Sequence, residues 1–491
     1  MSDPHPNSTP IIAGFFPDPT VCRVGEEYYL ANSSFEYFPA APIHRSVDLV
    51  HWEQIGNIID RPEQHRFGGG DSGGIYGSTL RHRDGRFWFV TTNMNDFTGG
   101  QVIYTAEDAS GPWSDGVRVP IIGIDPDLSW DDEGRCRLTL RTFEMGPAGP
   151  GEQYIGQAVI DPLTGEVLEP VKKIWDGSGA PDTEGPHLYR VGEYWYLIVA
   201  EGGTKRGHMV TVARSTAPDG PFELSPVHPL LTRRSTEHPV QATGHGDLVE
   251  TADGRWAMVH LGTRPRGFGY GFHTNGRETF VTGIRWNAGG WPELDESAFS
   301  VDDAGHSFDD DFADGIRPRW VTIDRALDFA TTDAEGLTIA DRGAGRARLL
   351  TRVRDLAWTV RADVEVLEGA GGVEVYLASD ARCELRIEAG VVVAVAHLPG
   401  LVVELGRHPV PAGTVTLVAS AVPPAWAGRM PPVAPDVLTF AVRVGDEQHT
   451  LGELDGRYLS TELEGRFTGR TVGVFTERGT VRVRRFAYTA D

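Results

Sequence analysis

Three carboxylates stand at matching places in a recurring unit of this chain, and a fourth such place carries a histidine. Asp18 opens DPTVCRVGEEYYLA, Asp125 opens DPDLSWDDEGRCRLT, Glu184 opens EGPHLYRVGEYWYLI, and His245 lies at the head of GHGDLVETADGRWAMV. If these starts converge, three carboxyl groups share one pocket. Crowded carboxyls have their proton affinities pushed apart, which suits acid/base chemistry rather than packing. Asp18 lies between two prolines in GFFPDPT, which restrict its backbone; read alone, it is equally a turn-capping aspartate. Asp127 ranks second to Asp125, and Asp182 second to Glu184. Asp131 and Asp132 belong to a hairpin turn and are expected in solvent. His245 could ligate a cation or orient a carboxylate, or be a satisfied core group. Arg277 in TNGRETF could bind hydroxyls and lower a neighbouring carboxylate's pKa, or form a surface ion pair. Phe35, Tyr37 and Phe38, Tyr76, and Phe268 and Tyr270 in GFGYGF offer flat rings for the apolar faces of a sugar; core packing is the alternative for each.

The unit that must position these groups is a turn, a strand, a tight turn and a second aromatic or aliphatic strand. Its five copies begin at residues 18, 77, 125, 184 and 244, roughly 50 to 65 residues apart, the length of one β-propeller blade with insertions. Propellers place the start of each innermost strand at the central channel, so the starts should meet on one axis. Between the copies, segments 44–56, 104–117 and 213–226 each end a strand in a turn and restart with an aromatic, as expected where one blade hands over to the next. Near 288–306 the character changes to a polar, Gly/Pro-containing linker. Alternating segments follow at 356–367, 391–405, 414–422, 437–444 and 480–490, which read as a β-sandwich. The expected organisation is an all-β chain, with a five-bladed propeller over residues 1–300 and a β-sandwich accessory domain over 301–491.

Composition agrees. The 491 residues include 60 Gly and 33 Pro, above the usual ~7 % and ~5 %, as suits many tight turns. A net charge of −24 disfavours nucleic acid or an anionic membrane as partner. No apolar run of about 18 residues is present to span a membrane. The start, MSDPHPNSTP, lacks a basic region followed by an apolar run, and Cys22, Cys136 and Cys383 have no CxxC spacing. A cytoplasmic protein with buried thiols is the expectation, and homo-oligomerisation stays open.

Six motifs in order resemble glycoside hydrolase family 43: GFFPDPTVCRVGEEYYLANSSFEYFPAAPIHRSVDLVHW, GIDPDLSWDDEG, TEGPHLYRVGEYWYLIVAEGGT, QATGHGDLVE, VHLGTRP and GRETF. DDDFADGIRPRW and the ending RFTGRTVGVF…RRFAYT resemble the concanavalin-like sandwich of its β-xylosidase branch. The resemblance implies inverting, exo-acting release of terminal xylose from short β-1,4-xylo-oligosaccharides, or of α-L-arabinofuranosyl units by the same mechanism. By it, Asp18 is the general base, Glu184 the general acid and Asp125 the group that holds Glu184 and tunes its pKa. It also implies sugar contacts from Arg277 and Phe35, with Tyr76 at the pocket, and a rim residue from the sandwich, Phe467. No cofactor is required; a calcium ion or water cluster on the axis beside His245 is the metal site it implies. The family's xylosidases usually read GGIWAP and FPGVPI where this chain has GGIYGS and FPAAPI. Both segments border the pocket and leave the choice of pentose open. A fructan-type hydrolase is disfavoured because Pro17-Asp18-Pro19-Thr20 replaces an Asn-Asp-Pro-Asn-Gly start. A non-catalytic sugar-binding propeller is disfavoured because all three carboxylates are present.

Overall fold

A computed structural model describes residues 5, 7–146, 149–343, 345–426 and 428–491. Its first part contains five four-stranded antiparallel sheets, each running from its innermost strand outward in chain order. Blade I is Thr20–Val24, Glu27–Ala31, Ala40–Ser46 and Glu53–Ile59. Blade II is Ile75–Arg83, Arg86–Asn93, Gln101–Ala106 and Val117–Val119. Blade III is Ile124–Trp130, Cys136–Gly146, Gly149–Ile160 and Val167–Trp175. Blade IV is Glu184–Val191, Tyr194–Glu201, Met209–Ser215 and Glu223–Leu224. Blade V is Gln241–Glu250, Trp256–Thr263, Glu278–Trp286 and Pro292–Asp295.

The strands are apolar on both faces because every sheet is covered on both sides. Successive side chains of a strand point to opposite faces. In blade II, Phe87 and Phe89 accordingly join an apolar cluster with blade I, while Trp88 and Val90 join one with blade III. In blade IV, Trp195 and Leu197 face blade III, and Tyr196 and Ile198 face blade V. The ring closes between blades V and I, where Ile12, Val21 and Leu30 pack on Val249 and Val259. The chain start adds to this closure through the Ile11 and Ile12 amides, both bonded to the Thr279 carbonyl.

Three expectations are corrected. Segments 44–56, 104–117 and 213–226 join the third and fourth strands within blades I, II and IV rather than linking one blade to the next. The linker starts later than residue 288, because Pro292–Asp295 is the outer strand of blade V. The run 391–405 is two strands, Val391–Leu398 and Leu401–Pro409, turned at Gly400, whose φ of 72° suits a residue without a Cβ.

From Phe308 onward the strands, Thr322–Ile323 excepted, form the sandwich. Its spine is the pairing of Trp358–Ala378 with Thr471–Ala490 along most of their length. Alternate residues of these strands, among them Val360, Ala362, Val364, Val481 and Val483, fill one large core with Trp320 and Trp358. The sandwich is bonded to the propeller: Thr322 and Ile323 pair with Phe38 and Tyr37 as a two-stranded ribbon. Tyr376 and Ser379 donate to Asp71 in a blade-connecting loop. Cys22, Cys136 and Cys383 are buried free thiols.

Candidate active site

Four of the five inner strands begin irregularly, and that irregularity helps build the site. Register shifts fall at Ile75/Ser78, Ile124/Asp127, Glu184/His187 and Gln241/Gly244, where an extra residue re-aims side chains towards the axis. Asp18, Asp125 and His245 have positive φ of 49°, 55° and 47°. Left-handed backbone at a non-glycine residue costs on the order of 1 kcal/mol and concentrates at functional sites. Gly77 and Gly185 keep the axis open: a Cβ on Gly77 would meet Asp125 Oδ1 at 2.4 Å, and one on Gly185 would crowd the His245 ring.

An axial cavity of about 350 Å³ results. Asp18, Asp125, Glu184 and His245 line it, as do Phe35, Tyr76, Arg277 and Phe467. Asp18 is only 3 % exposed. It accepts from Arg277 Nη1 at 2.7 Å and Ser33 Oγ at 2.7 Å, with His245 Nδ1 at 3.4 Å. Burial alone would raise its pKa, but Arg277, His245 and the Ser33 bond outweigh burial and hold it below the usual carboxylate value. Asp125 accepts the Gly185 N–H at 3.0 Å. Burial, then the charge of Asp18, push it up to about 6. Burial, then the charge of Asp125, push Glu184 up to about 7, against the pull of Arg141, with which it is paired. One pocket therefore holds a carboxylate that stays ionised and a carboxyl that keeps its proton in the weakly acid range up to about pH 7.

Three rings form the wall beside Arg277. Phe35 and Phe467 stack at 5.5 Å, Phe35 and Tyr76 approach to 4.8 Å, and the guanidinium lies 5.4 Å from the Phe35 ring. The guanidinium also donates to the Phe467 carbonyl at 3.4 Å. Phe467 is the sandwich's entry into the propeller pocket, and its N–H is held by Ser72 Oγ at 3.1 Å. Tyr76 donates its hydroxyl to the Ser72 carbonyl at 2.9 Å, so one residue anchors two of the rings. Phe467→Ala should raise KM for a short substrate about five-fold with a smaller change in kcat. Steady-state kinetics with unchanged KM would remove Phe467 from the pocket wall.

Other expectations fare differently. Asp127 lies one layer below the cavity, fully buried, accepting from Arg81 at 2.8 Å and from the Leu188 N–H at 3.1 Å. Asp182, ranked behind Glu184, does line the cavity and pairs with Arg141 at 3.1 Å. Asp131 is not in solvent: it is buried and bonded to Arg135 and Arg137. Tyr37 and Phe38 are core residues, and Phe268 and Tyr270 lie outside the axial cavity on an exposed loop. Arg277 is buried, not a surface ion pair.

Arg141, Ser33 and Lys205 escaped the sequence reading. Arg141 carries no motif of its own and becomes visible only through strand register, which sets it opposite Ile124. Its Nη1 pairs with Glu184 and its Nη2 with Asp182 and Gln153. Arg141 and Asp125 thus act on Glu184 with opposite signs. Asp125→Asn should lower the basic limb of kcat/KM by about one pH unit and Arg141→Met should raise it by a similar amount. Limbs that do not move apart would show that neither charge tunes Glu184.

A calcium ion takes six to eight oxygen ligands. Among the described residues no group of three or more His, Cys, Asp or Glu side chains is placed to hold an ion. Beside His245 the nearest carboxylate, Asp18, is committed to Arg277 and Ser33. These residues do not form a calcium cage.

The profile of Glycosyl hydrolases family 43 matches residues 7–292. A Non-reducing end alpha-L-arabinofuranosidase of Bacteroides ovatus is 42 % identical over 289 residues, 58 % of this chain and 53 % of that protein. A Xylosidase/arabinosidase of Butyrivibrio fibrisolvens is 40 % identical over 294 residues, 58 % of this chain and 56 % of that one. The matches thus span about half the length of these curated relatives. Among solved structures, GH43B of a Bacteroides ovatus xyloglucan PUL has a TM-score of 0.87 at 31 % identity, covering 98 % of this chain and 99 % of that one. The xylan beta-1,4-xylosidase from Bacillus halodurans C-125 gives 0.87 at 28 %, with coverage of 98 % and 99 %. With a family match over more than half its length, the chain belongs to glycosyl hydrolases family 43.

Proposed function

We propose that the protein is an inverting exo-glycosidase that releases terminal xylose from β-1,4-xylo-oligosaccharides. The observation that carries this reading is the divergence of proton affinity within one pocket: Asp18 is held below its ordinary value and Glu184 is raised to about 7. That division separates a base from an acid. In the proposed reaction Asp18 takes a proton from water as the water oxygen attacks the anomeric carbon. Glu184 gives its proton to the glycosidic oxygen as that bond breaks, and configuration inverts. Asp125 keeps Glu184 protonated and, through the Gly185 N–H, fixes the strand start that carries it. Arg277 holds Asp18 and the aromatic wall in one arrangement. The wall closed by Phe467 favours a chain end over a threaded chain, hence the exo mode.

An α-L-arabinofuranosidase with the same machinery is the second reading. It is favoured by the likeness to a non-reducing end alpha-L-arabinofuranosidase and a xylosidase/arabinosidase and by Tyr76 standing where the xylosidases of the family carry tryptophan. A panel of nitrophenyl β-D-xyloside, α-L-arabinofuranoside and β-D-fructofuranoside surrogate, followed by proton NMR of the first sugar anomer released, decides among them. Xylose released first as the α-anomer supports the proposal; a β-anomer or a silent panel overturns it. The buried free thiols support a reducing, cytoplasmic setting, in which short imported oligosaccharides are the substrate.

A further inference from the structure

We propose that the groove between loop 202–208 and loop 264–277 is a second sugar-binding site, which takes the reducing-end part of an oligosaccharide whose terminal unit fills the axial cavity. The inference rests on the reading of Glu184 as the acid. The groove, about 610 Å³, is lined by Arg206, Arg234, Glu237, Gln241 and Tyr270 among others. Tyr270 is 82 % exposed and Phe268 45 % exposed, an unusual amount of bare ring for two neighbouring residues. Neither ring is on a slack segment. Arg266 and Phe272 exchange backbone hydrogen bonds at 3.0 and 2.7 Å, closing the loop between them, and the Phe268 N–H donates to the Pro432 carbonyl at 2.8 Å. The Arg206 guanidinium lies 4.4 Å from the centre of the Tyr270 ring and donates to the Tyr270 carbonyl. One face of that ring is covered by a cation and the other is left to solvent. An apolar ring face rimmed by charged donors and acceptors suits a sugar, whose C–H face stacks while its hydroxyls bond at the edge.

Topology says which sugar. Loop 202–208 joins Tyr194–Glu201 to Met209–Ser215, and the register sets Glu184 opposite Ala200. The loop therefore emerges at the end of blade IV where Glu184 sits. Loop 264–277 emerges at the same end of blade V, since Gln241 is opposite Thr263. Gly203, Thr204 and Lys205 line the axial cavity, and Arg206 and Gly207 line the groove, so one short loop is a wall of both. A leaving group must depart past the acid that protonates it. On the blade IV side of Glu184, the loop that walls the cavity leads on to the groove that Tyr270 lines. The units beyond the second of a β-1,4-linked pentose chain are the ligand that the continuity of the two sites selects, since Gly203, Thr204 and Lys205 border the axial cavity itself and Tyr270 lies beyond them.

The test compares kcat/KM for xylobiose and xylotetraose in the native protein, Tyr270→Ala and Tyr270→Phe. Tyr270→Ala should lower the ratio of the tetraose value to the biose value about ten-fold, mainly through KM, as expected on truncating an aromatic anchor. Tyr270→Phe, which keeps the ring, should hold the native ratio. An exposed side chain at this position leaves folding undisturbed. A ratio that ignores Tyr270→Ala, or that falls equally with Tyr270→Phe, overturns the second site while leaving the proposed activity standing. A native protein inert on both oligosaccharides and on aryl pentosides overturns the activity and the site together.

Discussion

Glu184→Gln should reduce turnover of xylobiose on the order of 10³-fold, the scale of a lost general acid, while an aryl xyloside with a nitrophenolate leaving group loses far less. The difference comes from the leaving oxygen. A sugar alkoxide cannot depart without a proton, whereas nitrophenolate departs nearly unaided. Glutamine keeps the size of the side chain and can still accept from Arg141, so the pocket should survive the change. Because Glu184 lies near pKa 7 in the folded protein, activity on xylobiose should decline as pH rises through that value, when the acid loses its proton. Glu184→Gln should flatten this limb for the aryl substrate. Equal losses on both substrates, or a basic limb that persists unchanged in the variant, would assign the proton to another group; Asp182, which shares Arg141 with Glu184, is the first to test.

The carboxylates could be picked out before any coordinates because their information is repetitive. Asp18, Asp125 and Glu184 occupy one position in a unit that recurs, and a propeller converts equal position in the repeat into common location on the axis. The blade strands are legible for the same reason, as short aromatic and aliphatic runs that recur between tight turns. What escaped detection depends on non-local geometry. Arg141 meets Glu184 through strand register in blade III and the packing of that blade on blade IV, neither of which has a local signature. Phe467 lies on a sandwich loop 283 residues beyond Glu184, so only the resemblance points to it. Phe268 and Tyr270 lie close to the fifth repeat in sequence, as the pocket rings lie close to theirs, but the loop carrying them turns outward. Glu36 was overlooked inside a conspicuous aromatic run. It is buried behind that wall, raised to about 8 by burial foremost, and accepts the Ser72 N–H at 3.0 Å. The left-handed backbone at Asp18 and Asp125 is likewise invisible in residue type, since aspartate tolerates but does not demand it.

Asp18→Asn should differ from Glu184→Gln in kind. Water has to be activated whichever group leaves, so xylobiose and the aryl xyloside should both fall on the order of 10³-fold or more. The asparagine side chain can still bond to Ser33 and Arg277 but cannot accept a proton from water. The native acid limb should also lie low: Asp18 is depressed below the usual carboxylate value by Arg277, His245 and Ser33 despite burial, so it stays ionised as pH falls until well into the acid range. A stability cost accompanies the change. Asp18 is the ion partner of Arg277 at 2.7 Å, and both side chains are largely buried. Removing the charge leaves the guanidinium without its counter-ion, a loss that at buried pairs reaches about 3–5 kcal/mol when one partner is removed and that the retained amide bond reduces. Calorimetric unfolding beside kinetics separates the two effects. A variant that melts lower yet loses activity only on poor leaving groups would place Asp18 in the frame that holds Arg277 and deny it the role of base. A folded variant equally inactive on both substrates identifies it as the group that activates water.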